Sequence, residues 1–228
     1  MTSPPPVAYF SDVLCIWAYV AQARVEATRQ AFPDLRLDHR FVSVFGDART
    51  KLRTAWHGRG EFEGYGAHVR KVAERFPHVV VSPRVWADTQ PASSASPHLF
   101  LLAVRNWERE QPGSVAGVVP LFERTMWEMR LAFFRDDRDI AQRDVQRTIA
   151  APLGIDVGAV ERLIDSGSAF ASLQADYQEA EKLRIEGSPT FVLNEGRQKL
   201  YGNVGFRIIE ANIKELLREP SGAEASWC

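Results

Sequence analysis

Cys15 is one of two cysteines in the 228-residue chain. It lies in Ser11-Asp12-Val13-Leu14-Cys15-Ile16-Trp17-Ala18-Tyr19, where an apolar run gives way to what reads as the first turn of a helix. Free backbone N–H groups and the helix dipole favour negative charge at such a start. The position therefore predicts a thiolate, held below the ordinary cysteine value of about 8.5. Cysteine is also a small, commonly buried apolar residue, and position alone leaves both readings open. Cys228, the last residue, follows ten residues after Arg218, a span of at most roughly 35 Å. It is either a second thiol within reach of Cys15 or a tail thiol without a role.

The second chemical feature is Glu186-Gly187-Ser188-Pro189-Thr190-Phe191. Proline cannot donate to a β-ladder, so Pro189 belongs at the start of a strand. A cis Ser188–Pro189 bond would expose the Ser188 backbone to an extended ligand, whereas a trans proline would simply open the strand.

The elements that must position these residues follow from periodicity. Residues 7–11 form a short apolar run suited to a buried strand. Residues 16–31 read as a helix with Ile16, Val20, Ala23 and Ala27 on one face. Residues 35–44 alternate, with Leu35, Leu37, His39 and Phe41 on one side. This strand–helix–strand opening implies parallel pairing through a right-handed crossover. From about residue 50 to 184 the pattern is helical. One helix is expected to start at Ser96 as N-cap with Pro97 first inside, and another at a capping Asp156. A third, from Ser168, is expected to stack Phe170, Leu173, Tyr177 and Ala180. Thr190–Asn194 and Gln198–Gly202 read as a hairpin turning at Glu195-Gly196, and a last amphipathic helix carries Phe206, Ile209, Ile213 and Leu216.

Composition bounds the rest. The chain is 45% hydrophobic and 25% charged, with 28 Lys plus Arg against 29 Asp plus Glu. That balance gives no electrostatic reason to expect nucleic acid or an anionic membrane as partner. No run approaches the ~20 apolar residues of a membrane span. "MTSPPPVAYF" has neither the basic region nor the long apolar run of a signal peptide. The expected compartment is the reducing cytoplasm. The histidines at 39, 57, 68, 78 and 98 show no paired ligand spacing, and no metal is expected. The charged residues Arg40 and Arg135-Asp136-Asp137-Arg138 are expected to be solvated, and Trp56, Phe62, Tyr65 and Trp86 to pack in a core.

Taken together, the cysteine at the first helix, the helical middle and the Gly-Ser-Pro-Thr-Phe loop before a terminal ββα resemble the DsbA-like branch of the thioredoxin superfamily. That branch includes the kappa-class glutathione transferases and the 2-hydroxychromene-2-carboxylate isomerases. The family's Ser-Asp-x-x-Cys-Pro-Trp-Cys-Tyr is matched at Ser11, Asp12, Cys15, Trp17 and Tyr19. Its x-Gly-x-Pro-Thr-Phe loop is matched at Gly187, Pro189, Thr190 and Phe191.

The resemblance implies an α/β thioredoxin-like fold with an inserted all-helical domain. The expected thioredoxin-like part is residues 1–48 and 168–220, the helical insertion 49–167, and a flexible tail 221–228. It also implies a cis Pro189 beside Cys15. Cys15 carries over as nucleophile. Ser11, Trp17, Ala18, Ser188 and Pro189 carry over as substrate- or glutathione-binding positions, with His98 a candidate for lining the groove.

The departures are Ile16 for the usual proline and Ala18 for the resolving cysteine. A dithiol enzyme frees itself from a mixed disulfide with its second thiol, and Ala18 cannot do that. The expected partner is a small thiol or a thiol-containing protein. Glutathione or another low-molecular-weight thiol, or else Cys228, would resolve Cys15, with no permanently bound cofactor. The transferase and isomerase relatives usually carry serine at this position and are often dimers, which makes a homodimer one expected state. Three functions follow: a monothiol oxidoreductase acting through Cys15, a glutathione-dependent transferase or isomerase, and a non-catalytic binding module.

Overall fold

The structure is a computed structural model and describes residues 7–111 and 119–218. The expected tail 221–228, and Cys228 with it, lies outside the described residues. The apolar run at the start forms β1 (Val7–Ser11), followed by α1 (Ile16–Val20), α2 (Gln22–Ala31) and β2 (Leu37–Phe41). Helices then follow one another: α3 (Ala48–Ala55), α4 (Glu61–Ala73), α5 (Ala95–Glu110), α6 (Leu121–Phe134), α7 (Arg143–Ala150), α8 (Val157–Asp165) and α9 (Ser168–Lys182). The described residues close with β3 (Thr190–Leu193), β4 (Gln198–Tyr201) and α10 (Phe206–Leu217).

The sheet order is β2-β1-β3-β4. β1 and β2 run parallel, with Val7 opposite Leu37 and Ser11 opposite Phe41. β3 is antiparallel to both β1 and β4. The β3–β4 turn falls at the expected place, with Asn194, Glu195 and Gly196 all at positive φ. One face of the sheet buries Val7, Tyr9, Phe191 and Leu193 against Val25 of α2 and Ile209 and Ile213 of α10. The other face buries Phe10 and Val192 against Ala180 of α9. The main core is shared: one apolar cluster runs from Val13–Val20 through Leu52 and Phe62 to Phe100–Val104 and Phe133–Phe134. The helical segment thus packs directly onto the loop and short helix that carry Cys15.

Several local expectations are corrected. The helix expected over 16–31 divides at Ala21, whose αR backbone caps α1 before α2 resumes. The second strand is shorter than 35–44, because only Leu37–Phe41 finds the β1 ladder. α5 begins at Ala95 with Ser94 at the N-cap, so Ser96 and Pro97 both lie in its first turn. Proline is tolerated there because first-turn N–H groups have no intrahelical acceptor. In α9 the inward stripe is Ala169, Leu173, Asp176 and Ala180. Phe170 is one position off that stripe and is 54% exposed. Asp156 does cap α8, accepting from Ala159 N–H at 2.9 Å. Of the charges expected to be solvated, Arg135 and Asp136 are exposed, whereas Arg40 pairs with Asp38 and Asp176 and Asp137 with Arg84 and Ser82.

Candidate active site at Cys15

β1 ends at Ser11, and the next four residues carry the chain across the end of the sheet into α1. Asp12 organises that crossing. Its carboxylate is fully buried and accepts from Leu14 N–H at 2.9 Å, Val44 N–H at 3.0 Å, Phe45 N–H at 2.8 Å and Ser94 Oγ at 2.7 Å. The loop after β2 and the start of α5 therefore converge on one side chain. Charge-assisted hydrogen bonds of this kind are roughly twice as strong as neutral ones, which is how a buried carboxylate is tolerated here. Ser94 spends its hydroxyl on Asp12 rather than on the free N–H groups of α5, where it makes no side-chain cap.

His98 holds the same loop from the other side. Val13 N–H donates to His98 Nε2 at 3.1 Å, which makes Nε2 an acceptor and leaves the ring proton on Nδ1, 3.2 Å from the Tyr177 hydroxyl. The ring stacks on Phe41 with centroids 4.1 Å apart. Burial pulls the imidazole down from 6.5 to about 4, so it is neutral near pH 7, and its 3.8 Å approach to Asp12 is not an ion pair there. The expectation that His98 lines a groove is corrected: it has no exposed surface and grips the backbone two residues before the cysteine. A helical residue facing the core so early in α5 cannot also face a ligand outside.

Cys15 is the extended N-cap residue of α1. The Ser188–Pro189 peptide is cis, and the Cys15 thiol donates to the Ser188 carbonyl at 3.2 Å across 173 positions of sequence. Ser188 also accepts Asp12 N–H on its hydroxyl at 2.8 Å, so the two loops are bonded twice. Pro189 carbonyl takes Gly202 N–H at 2.8 Å, and Thr190 Oγ1 donates to Gly187 carbonyl at 2.9 Å. The exposed Tyr201 ring lies over Gly187, 2.5 Å from where a Cβ would stand, so a larger residue there would displace that ring.

The structure therefore brings Cys15, Ser188 and Pro189 together. Ala18 follows one turn on, fully buried, and Trp17 is half-buried with its ring edge-on to Phe76 at 6.1 Å. Ser11 lies beneath the site, its hydroxyl accepting from Arg130 at 3.1 Å.

The thiolate expectation is also corrected. Cys15 is only 6% exposed, and burial pushes its thiol up from the usual value. The Ser188 contact and the N–H groups of Ala18 and Trp17 oppose burial without overcoming it, and the nearby Asp12 charge adds to the rise. Proximity to a helix start alone missed this because α1 is short and the cysteine is largely buried. Sequence reasoning also passed over Asp12, Ser94, Tyr177 and Arg130. Only Asp12 carried a signal, its place in the motif around Cys15.

A profile of the DSBA-like thioredoxin domain matches residues 6–214. No curated protein matches the sequence. Among solved structures, a probable DsbA oxidoreductase from Streptomyces coelicolor superposes with a TM-score of 0.71 at 20% identity, covering 97% of this chain and 94% of that one. The cytosolic disulfide reductase DsbM from Pseudomonas aeruginosa, also solved with GSH, gives a TM-score of 0.62 in that complex at 20% identity, covering 86% and 90%. A 2-hydroxychromene-2-carboxylate isomerase gives 0.62 at 16% identity, covering 93% and 96%. At these identities the superpositions establish the shared fold, and the profile establishes the family. A cis-proline loop bonded to a cysteine at the end of β1, in a chain matched almost end to end, makes this protein a member of the DSBA-like thioredoxin family.

Proposed function

We propose that the protein is a monothiol thiol-disulfide oxidoreductase in which the Cys15 sulfur attacks a disulfide or glutathionylated substrate. The observation that carries this reading is the 3.2 Å contact between Cys15 Sγ and the Ser188 carbonyl beside a cis Pro189. It sets the one described cysteine against backbone that can pair with an extended, disulfide-bearing ligand. The reaction balances without a second protein thiol. Deprotonated Cys15 attacks the sulfur of a mixed disulfide, a Cys15 mixed disulfide forms, and the substrate thiolate leaves. A thiolate from glutathione or a similar small thiol then attacks the outer sulfur. Cys15 departs as thiolate, and the small thiol is oxidised to its own disulfide. The glutathionylated substrate is reduced to its free thiol.

Burial of the sulfur bears on direction. A thiol pushed up in pKa is the better nucleophile once deprotonated and the poorer leaving group. Its mixed disulfide is correspondingly stable, which suits reduction of substrate disulfides in a reducing compartment better than oxidation of thiols. The likeness to a cytosolic disulfide reductase solved with GSH agrees with that direction.

Coupled reduction of a glutathionylated peptide by glutathione tests the reading, comparing wild type with Cys15→Ser. Loss of turnover in the variant is expected. Full turnover without the sulfur would instead favour the transferase or isomerase reading, in which the small thiol is itself the reagent and residue 15 only orients it.

A further inference from the structure

A cavity of about 200 Å³ lies between α2, the start of β2 and the start of α6. Phe32, Leu35, Leu37 and Pro120 give it apolar walls, and Arg29, Arg36 and Glu123 supply its charged groups. Leu37 stands opposite Val7, where β1 begins, whereas Cys15 follows the other end of that strand. Four strand steps, roughly 13 Å, separate the two ends. The cavity is therefore no part of the site at Cys15. It is also smaller than the ~300–1,000 Å³ of drug-sized pockets, which restricts it to a small ligand.

Glu123 is the unusual group in it. Its side chain is nine-tenths buried, and both of its protein contacts fall on one oxygen. Oε2 accepts from Arg29 Nη2 and lies 3.1 Å from His39 Nε2. Burial works against the charge, but His39 and Arg29 outweigh it and hold the carboxyl down at about 2, so it is ionised at neutral pH. The other oxygen, Oε1, has no partner among the described residues. A largely buried carboxylate oxygen without a donor is costly, and this one belongs to a cavity wall. Arg36 is exposed, and among the described residues its guanidinium makes no ion pair. The Thr28 hydroxyl, also in the lining, is already spent on the Arg24 carbonyl at 2.7 Å.

An open carboxylate oxygen, a free guanidinium and apolar walls within one small cavity are complementary to a zwitterion with an apolar body. A simple carboxylic acid would leave Oε1 without a donor, and a simple amine would leave Arg36 without an anion. We propose that this cavity binds a free α-amino acid with an apolar side chain. The ligand ammonium donates to Glu123 Oε1, the ligand carboxylate accepts from Arg36, and the side chain packs on Phe32, Leu35, Leu37 and Pro120. Arg29 holds Glu123 in place beneath the ammonium. None of this depends on the chemistry at Cys15.

Isothermal titration of the full chain with L-leucine and L-phenylalanine tests the site. Saturable binding of at least one of them, one per chain, is expected. For leucine, isocaproate lacks the ammonium and isoamylamine lacks the carboxylate. Each is expected to bind at least about tenfold more weakly, having lost a charge-assisted hydrogen bond. Arg36→Gln changes an exposed residue and is expected to weaken binding about tenfold, with alkylation of Cys15 unchanged. Glu123→Gln is expected to abolish binding. Should that variant fail to fold, Arg36→Gln and the two analogues still decide the matter. Absence of saturable binding of either amino acid up to ~10 mM, analogues that bind as well as the amino acid, or wild-type affinity in Arg36→Gln would overturn the proposal.

Discussion

Replacing His98 by glutamine removes the titrating ring while offering Val13 N–H a side-chain carbonyl in place of Nε2. In the native protein the imidazole is held neutral, with its value pulled down from 6.5 to about 4 by burial. Between those two values the unfolded chain binds a proton that the native chain refuses, so stability from this site rises with pH across that window. It is fully present above about pH 6.5 and is lost as pH falls toward 4. The difference corresponds to roughly 3 kcal/mol, a large share of the 5–15 kcal/mol typical of a domain. The Asp12 carboxylate offsets burial somewhat and Arg130 adds to it, but neither reverses the sign. Urea unfolding of wild type and His98→Gln at several pH values from 7 to 4.5 reads the effect. Wild type is expected to lose more stability than the variant over that range, by about 2–3 kcal/mol. Parallel curves for the two proteins would refute a buried, neutral His98 with Nε2 as acceptor.

Asp12→Asn should cost about 2–4 kcal/mol in the same unfolding assay, because an amide nitrogen would face donors that now share a carboxylate. A change below about 0.5 kcal/mol, the usual range for surface substitutions, would show that the loop does not depend on it. Ala18→Cys places a thiol on the fully buried residue one turn after Cys15. It should convert a stable glutathione adduct into an internal disulfide, seen as loss of two hydrogens by intact mass. Persistence of the adduct in that variant would mean that position 18 cannot reach the sulfur.

The sheet and its order of elements could be read from the chain because each strand has a distinct signature. β1 is a short apolar run, β2 alternates, and the hairpin is marked by Glu195-Gly196. The pairing of Cys15 with Ser188 and Pro189 rested on the motif resemblance, since nothing local links positions 173 residues apart. What stayed hidden was burial. A cysteine at a helix start reads as a thiolate until its side chain is found buried. His98 reads as a groove residue until its ring is found bonded to Val13, and Ser94 draws no reading until its hydroxyl is found on Asp12. Arg130 draws no reading at all, since its partner Ser11 lies 119 positions away. Each miss concerns a polar residue whose partner is distant in sequence, where periodicity carries no information.

The central claim is that Cys15 is a working nucleophile despite its burial. The direct measurement is intact-mass spectrometry of the reduced protein after brief exposure to glutathione disulfide, with peptide mapping. One glutathione on Cys15, removed by added free thiol, is the predicted result. Modification of Cys228 alone, with Cys15 untouched, would contradict it and leave Cys15 a buried core residue.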